Sequence, residues 1–186
     1  MKKEYIVILP IIILTILIIL FLTENISVID NVYNYIVIHN DKATIFFKGI
    51  TFFGSTLGII MASICLLIFY KDKKDLIGLY VCILLSTIIN FVLKWMIARP
   101  RPALIHLVTE TSTSFPSGHA MSSLTFYGYI IYLLWKSEIK QIWKKLGTCF
   151  LSLFILTIGY SRIYLNVHYV SDVLAGFCVS CIYLLL

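Results

Sequence analysis

Long apolar runs alternate with short polar segments along nearly the whole chain. Each run approaches the roughly 20 residues that a bilayer-spanning helix needs. The pattern therefore predicts an all-α bundle of six transmembrane helices, at about residues 5–22, 43–70, 76–98, 116–135, 146–160 and 168–186. The stretch 23–42, between the first two, is polar and aromatic and predicts a loop or an interfacial helix. Since we find no repeat and no soluble segment of domain size, we expect residues 1–186 to form a single integral membrane domain.

Composition agrees with this interpretation. Of the 186 residues, 60% are apolar and only 13% are charged, compared with about 25% charged residues in soluble domains. The five cysteines all lie within apolar runs and lack ligand-like spacing. We therefore expect them to be small core residues, and we predict neither a disulfide framework nor a metal site from them.

The net charge of +6 comes mostly from lysines in short clusters between the apolar runs, a distribution that does not favour a nucleic-acid partner. Nine lysines lie at the N-terminus and in the connections after spans two and four: Lys2, Lys3, Lys71, Lys73, Lys74, Lys136, Lys140, Lys144 and Lys145. By the positive-inside rule, both termini and these connections are cytoplasmic. The loops at 23–42, 99–115 and 161–167 then face outward, and three polar clusters lie at that outer side.

The first polar cluster runs from Lys94 to Pro102 and reads KWMIARPRP. Its prolines force the chain out of the helix, so Lys94 and Arg101 can both point into the outer end of the bundle. The alternative is that these cations only snorkel to the membrane interface. For Arg99 alone, we favour this interfacial interpretation.

The second polar cluster is Pro116-Ser117-Gly118-His119, at the start of the fourth apolar run. Proline suits the first turn of a helix, where its missing N–H has no partner. The N–H groups of Ser117 and Gly118 and the serine hydroxyl would then form an anion site at the positive end of the helix dipole. The alternative is an ordinary helix cap beside a structural histidine.

The third polar cluster contains Arg162, His168 and Asp172. The histidine and the aspartate are four residues apart, so on a helix they would share a face and could touch. Asp172 could then fix the tautomer of His168 and leave its other nitrogen free as a nucleophile. The alternative is a structural His–Asp pair that joins two helices, although a carboxylate inside an apolar span is usually functional.

Three cations, two histidines and an anion-ready helix start thus meet at one side of the membrane. This combination favours a dianionic oxyanion as ligand, and phosphate fits best. Since no paired carboxylates suggest a metal site, the cations would neutralise the charge that Mg²⁺ neutralises in other enzymes. We therefore predict no metal and no other cofactor.

In order, the clusters read Lys-x6-Arg-Pro, Pro-Ser-Gly-His and Ser-Arg-x5-His-x3-Asp, within residues 94–172. They resemble the three signature motifs of the type 2 phosphatidic acid phosphatases, also called lipid phosphate phosphatases. The resemblance implies a mostly helical, metal-independent hydrolase with a phosphohistidine intermediate. It implies that His168 attacks phosphorus, that Asp172 orients it, and that His119 serves as acid and then as base. The phosphate-binding residues implied are Lys94, Arg101, Ser117, Gly118 and Arg162.

An outward-facing site near the interface favours a phospholipid or polyprenyl phosphate of the bilayer as substrate. The loop 103–115 resembles that of bacterial phosphatidylglycerol phosphate phosphatases, so hydrolysis of phosphatidylglycerol phosphate to phosphatidylglycerol is the preferred function. The composition is compatible with a bacterial plasma membrane. His106, Glu110 and Tyr164 lie near the predicted site and are candidate head-group contacts.

Other functions stay open. Hydrolysis of undecaprenyl diphosphate is one, although the second motif of that branch often reads Pro-Ser-Asp-His and position 118 here is glycine. Hydrolysis of phosphatidic acid is another, and a non-catalytic lipid-binding protein is a third. The vanadate haloperoxidases share the family's site, but this chain is too short and too apolar for that class.

Overall fold

A computed structural model describes residues 3–70 and 72–185, and this part of the chain is helical without strands. Its α-helices are α1 (Lys3–Leu22), α2 (Ser27–Asp30), α3 (Tyr33–Ile36), α4 (Asp41–Thr51), α5 (Thr56–Phe69), α6 (Lys73–Ile97), α7 (Gly118–Lys136), α8 (Gln141–Tyr164) and α9 (Val170–Leu185). A 3₁₀ turn, Phe52–Gly54, joins α4 to α5. Lys2 and Lys71, which entered the predicted orientation, and Leu186, the predicted end of the sixth span, lie outside the described residues.

Polar residues at the borders of the apolar runs fix where several helices begin. The side chain of Asn40 accepts a hydrogen bond from an N–H in the first turn of α4, and Ser55 does the same for α5. Asp72 caps α6 and Ser117 caps α7 in the same way. A side-chain oxygen at this position satisfies a backbone donor that the helix cannot pair itself. The starts of α4, α6 and α7 lie within three residues of the predicted ones, whereas the start of α5 was not predicted.

Two predicted segments differ in detail from the structure. The second apolar run is not one helix, because the chain bends by 59° between Asp41–Gly54 and Thr56–Ile68. The segment after α1 contains the one-turn helices α2 and α3, and its Ser27–Ile36 part turns by 110° from Val7–Leu22. The predicted stretch of loop or interfacial helix thus consists of short helices folded back against the bundle.

Within residues 3–70 and 72–185, two helices are long and apolar enough to cross a membrane, α6 and α8. The number of possible crossings rises to four if each bent helix pair counts as one. Helix α9 has 16 residues, which is shorter than the roughly 20 residues of a typical span. The six-span count is therefore not confirmed by the helices themselves. Large apolar side chains on α1, α5, α6 and α8 are exposed, which fits a surface that contacts lipid.

Helix α7 lies at the centre of the bundle and packs against α6, α8 and α9. Helix α1 packs along α9, and α4 packs along α8. The core around Leu79, Phe126 and Ile158 holds α6, α7 and α8 together. Because of this packing, the end of α6, the beginning of α7 and the segment between α8 and α9 meet at one end of the bundle.

Candidate active site

The three polar clusters meet around one cavity of about 220 Å³, called the polar cavity below. Its lining includes Lys94, Arg101, Glu110, Gly118, His119 and His168. Each cluster contributes at least one of these residues, although the clusters are far apart along the chain. The arrangement brings two imidazoles and two cations to a common space that can hold a small anion.

His168 and Asp172 contact each other, but not along one helix face as predicted. Helix α9 begins at Val170, so His168 lies in the segment before it. Its Nδ1 is 3.5 Å from Oδ2 of Asp172. The same oxygen accepts a hydrogen bond of 2.9 Å from the backbone N–H of Tyr169 and another from the hydroxyl of Ser114. The turn that enters α9 therefore forms the pair that a continuous helix was expected to form.

The other ring nitrogen of His168 faces the cationic side of the polar cavity. Its Nε2 is 3.2 Å from Nη1 of Arg101. The pKa of His168 is lowered to about 4, chiefly by burial; Asp172 opposes this shift, and Arg162 and Arg101 add to it. The imidazole is therefore neutral near pH 7, and a neutral imidazole has a lone pair available for attack.

Arg101 and Lys94 are held by backbone carbonyl oxygens of two segments, the one that joins α6 to α7 and the one that joins α8 to α9. Arg101 donates to the carbonyl oxygens of Ser112 at 2.8 Å and Val167 at 2.6 Å. Lys94 donates to the carbonyl oxygen of Thr113. Both cations are thereby fixed beside the polar cavity, which lowers the reorganisation needed when an anion binds.

Arg162 is buried in the last turn of α8 and is not among the residues that line the polar cavity. Its Nη1 donates to Thr51 Oγ1 at 2.7 Å, and its Nη2 donates to Glu110 Oε1. Its Nε is a buried nitrogen without a hydrogen-bond partner among the described residues. Arg162 therefore does not face the polar cavity itself, but it contacts Glu110, which does.

The start of α7 differs from the prediction at Ser117. Helix α7 begins at Gly118, two residues after Pro116, and Ser117 is its N-cap. The N–H of Ser117 donates to the carbonyl oxygen of Asp172 at 3.0 Å, so it is not free for an anion. In the part of the chain that the structure describes, the N–H groups of Gly118 and His119 have no such partner. These two N–H groups at the start of α7 are therefore available to bind an anion.

The ring of His119 also makes no hydrogen bond within the described residues, and it lies beside the turn at Gly54. A Cβ at Gly54 would be 3.3 Å from His119 Cδ2 and 2.5 Å from Ile158 Cγ2. The carbonyl oxygen of Gly54 accepts a hydrogen bond of 2.6 Å from Ser122, one turn after His119. Glycine at this turn therefore permits close contact between the turn and the start of α7.

The three candidate head-group residues have different surroundings. Glu110 forms ion pairs with Arg101 and Arg162. A ring nitrogen of His106 lies 2.9 Å from the carbonyl oxygen of Pro102. Tyr164 is buried, and its hydroxyl contacts backbone atoms of the α4 N-cap. Tyr164 does not line the polar cavity, because α8 continues to this residue and carries its ring into the core.

A buried chain of ion pairs, which the sequence patterns did not predict, lies behind Asp172. Arg99 Nη1 donates to Asp172 Oδ1 at 2.7 Å, and its Nη2 donates to Asp30 Oδ2 at 2.5 Å. The guanidinium carbon also lies 3.9 Å from the ring centroid of Tyr169. The interfacial interpretation of Arg99 was wrong, since its side chain is buried. Asp30 lies in a polar stretch beside Asn31, so no local signal in the sequence indicated that its carboxylate would be buried against Arg99.

Comparison with known protein families and structures identifies the family of this chain. A family model described as the PAP2 superfamily matches residues 75–186, more than half of the chain. The chain belongs to the PAP2 superfamily. This PAP2 protein is 36% identical over 138 residues to phosphatidylglycerophosphatase B of Bacillus subtilis (strain 168), an alignment that covers 71% of this chain and 67% of that protein.

Two solved structures resemble this fold. One is the crystal structure of the first transmembrane PAP2 type phosphatidylglycerolphosphate phosphatase from Bacillus subtilis. It matches with a TM-score of 0.79 and 26% identity, over 99% of this chain and 94% of that chain. The other, Aquifex aeolicus LpxE, matches with a TM-score of 0.66 and 26% identity, over 84% and 91% of the two chains. The fold of this chain is therefore that of membrane PAP2 proteins.

Proposed function

We propose that this protein is a membrane lipid phosphatase that converts phosphatidylglycerol phosphate to phosphatidylglycerol and inorganic phosphate. Membership in the PAP2 superfamily supports the reaction class. The likeness in sequence and in fold to phosphatidylglycerol phosphate phosphatase of Bacillus subtilis supports the substrate. The observation that carries the proposal is the position of His168. One ring nitrogen faces Asp172, and the other faces Arg101 in the polar cavity.

In the first half of the reaction, His168 Nε2 attacks phosphorus while the bond from phosphorus to the lipid oxygen breaks. Asp172 accepts the hydrogen bond of Nδ1–H, which selects the tautomer with a lone pair on Nε2. The departing lipid alkoxide takes a proton from His119, whose ring lines the same cavity. The products of this step are the lipid alcohol and a phosphohistidine.

In the second half, His119 accepts a proton from a water molecule that attacks the phosphohistidine. The bond from phosphorus to nitrogen breaks, inorganic phosphate leaves, and His168 becomes neutral again. Lys94, Arg101 and the Gly118 N–H stabilise the phosphoryl oxygens, since fixed donors and cations act strongly in a cavity of low dielectric constant. The reaction as proposed needs no metal ion, because these cations neutralise the phosphate charge.

We also propose that residues 1–186 form one domain of six spans, with an interfacial segment of α2 and α3. The two bent helix pairs and the exposed apolar side chains support the spans. The ion pair between Asp30 and Arg99 supports a single domain, since it joins the interfacial segment to the motif region. The lysine distribution supports cytoplasmic termini and an active site that faces outward from a bacterial plasma membrane.

The proposal is tested by phosphate release from purified protein in detergent micelles with EDTA present. Phosphatidylglycerol phosphate, phosphatidic acid and undecaprenyl diphosphate are compared side by side. His168→Ala is the inactive variant, and His39→Ala is its matched control, since His39 is exposed and contacts Tyr33. We expect fastest release from phosphatidylglycerol phosphate, retained in His39→Ala and lost in His168→Ala.

Other outcomes would overturn parts of the proposal. Faster release from phosphatidic acid or from undecaprenyl diphosphate would reject the substrate. Release that EDTA abolishes would reject the metal-independent mechanism. Lipid binding by folded protein without release from any of the three lipids would reject the enzyme and favour a lipid-binding protein.

A further inference from the structure

Glu110 occupies the position between two arginines that the motifs assign to phosphate. Its Oε2 is 3.3 Å from Nη2 of Arg101, and its Oε1 accepts from Nη2 of Arg162. Carboxylate and phosphoryl oxygens bind guanidinium groups with the same planar, charge-assisted geometry. The carboxylate therefore resembles the ligand that these arginines are expected to bind.

Glu110 also separates Arg162 from the polar cavity. Glu110 and Arg101 line the cavity, whereas Arg162 does not. Within the described residues, Nε of Arg162 remains a buried donor without a partner. The carboxylate thus uses only part of the donor capacity of this guanidinium. A phosphoryl group that reached Arg162 would have to take the place of Glu110, because two anions at one site repel each other.

The structure offers space for Glu110 to leave. Glu110 also lines a second, open cavity of about 420 Å³ at the surface, together with His106, Leu107, Val108 and Thr109. The segment that carries it, between α6 and α7, contains no helix. Its side chain can therefore turn from the polar cavity to the surface without a shift of the helices that hold the two histidines.

We propose that Glu110 is an internal competitor for the phosphoryl group, bound to Arg101 and Arg162 in the empty site and displaced when phosphate binds. This inference rests on the proposed phosphatase function. Only molecules with Glu110 displaced can bind the anion with all donors of the site. The smaller the fraction of such molecules in the empty protein, the weaker the apparent affinity for phosphate. After hydrolysis, the returning carboxylate helps inorganic phosphate to leave. Glu110 thus limits inhibition by the product.

Inorganic phosphate is the probe, used in two measurements on the full chain in micelles. The first is its inhibition constant against hydrolysis of phosphatidylglycerol phosphate. The second, which needs no turnover, is the rise in melting temperature that phosphate causes. Glu110→Gln keeps the size and an acceptor but removes the charge. Glu138→Gln, in the connection between α7 and α8, is the matched control.

We expect Glu110→Gln to lower the inhibition constant of phosphate by about tenfold, equivalent to ~1.4 kcal/mol of binding free energy. The phosphate-induced rise in melting temperature should increase in the same variant, and Glu138→Gln should match the wild type in both measurements. Glu110→Ala serves as a second variant and should act in the same direction. If it binds phosphate more tightly while Glu110→Gln is poorly folded, the inference is supported.

Unchanged or weaker phosphate binding in folded Glu110→Gln would overturn the inference. A lower melting temperature without phosphate, accompanied by unchanged phosphate affinity, would assign Glu110 a purely structural role and would also overturn it. The proposed function fails separately, if the wild-type protein releases no phosphate from the lipid. The binding measurement still reports on Glu110 in that case.

Discussion

Arg99 donates to Asp172 Oδ1 at 2.7 Å, while the other oxygen of this carboxylate faces His168. The second side of the guanidinium binds Asp30. Asp172 is therefore held at both oxygens, and its direction toward His168 depends on Arg99, which occupies one of the six unspecified positions of the first motif. Breaking a buried ion pair by removal of one partner typically costs about 3–5 kcal/mol. The ion pairs of Arg99 with Asp30 and Asp172 therefore stabilise the fold and also position Asp172.

Arg99→Lys tests the positioning role of Arg99. Lysine keeps the charge but cannot bind both Asp30 and Asp172 with a planar fork. We expect kcat to fall by about 10- to 100-fold, since small displacements of a reacting group can have effects of this size. KM should change much less, because Arg99 is not in the polar cavity. Steady-state kinetics provide the measurement, and a rise in KM with unchanged kcat would contradict the role.

Asp30→Asn tests the other end of the ion-pair chain. The change removes the charge that faces Arg99 and weakens the two hydrogen bonds from Ser171 to Asp30. We expect a lower melting temperature and a lower kcat in this variant. Asp41→Asn is the control, since Asp41 is exposed in the first turn of α4 and exposed substitutions usually stay within about 0.5 kcal/mol. Equal behaviour of the two variants would show that Asp30 has no special role.

The lowered pKa of His168 predicts a pH dependence of stability. Its pKa is about 4 in the folded protein and close to 6.5 in the unfolded chain. Between these values, the unfolded chain binds a proton that the folded protein does not, so stability decreases as pH falls from 6.5 to 4. Melting curves of wild type and His168→Gln over this range, without substrate, provide the test. The melting temperature of the wild type should fall more steeply with decreasing pH than that of the variant. An equal pH dependence of the two melting temperatures would contradict the lowered pKa of His168.

Gly54→Ala tests the close contact at His119. The added Cβ would lie 2.5 Å from Ile158 Cγ2 and 3.3 Å from the carbonyl oxygen of His119. Overpacking of this kind usually costs about 1–3 kcal/mol, and the shift of His119 should lower kcat. Gly49→Ala is the matched control in α4, where a Cβ meets nothing within 4 Å. It should leave kcat unchanged and stabilise the helix by up to ~1 kcal/mol; equal losses in both variants would reject the packing argument.

Ala98→Gly should stabilise the protein. Ala98 ends α6 with φ 46° in the left-handed region, and its side chain is exposed. A residue with a Cβ pays roughly 1 kcal/mol in this conformation, which glycine avoids. We expect the free energy of unfolding in denaturant to increase by about 1 kcal/mol with unchanged activity. Ala103→Gly is the control, because Ala103 is exposed and has no positive φ. This variant should be slightly less stable than the wild type, and a similar loss of stability in Ala98→Gly would contradict the prediction.

Helices and motifs could be read from the sequence because their signals are local. Apolar runs and capping side chains such as Ser117 lie within a few residues of the features that they determine. The α-helical class, the PAP2 motifs and the proximity of His168 to Asp172 depend on such signals. The breaks in these runs were less visible. The bend at Phe52–Gly54 lies in a run that is apolar on both sides, so hydropathy alone could not reveal it.

The surroundings of the motif residues depended on the tertiary structure. Asp30 and Arg99 are 69 residues apart, and Glu110 and Arg162 are 52 residues apart. No local pattern pairs such distant charges, whereas burial of one makes an opposite charge nearby necessary. The sequence by itself predicted which groups would bind and cleave a phosphate ester. The packing of α6, α7, α8 and α9 decided which cations face the cavity and which are paired, because only packing brings distant charges within a few ångströms.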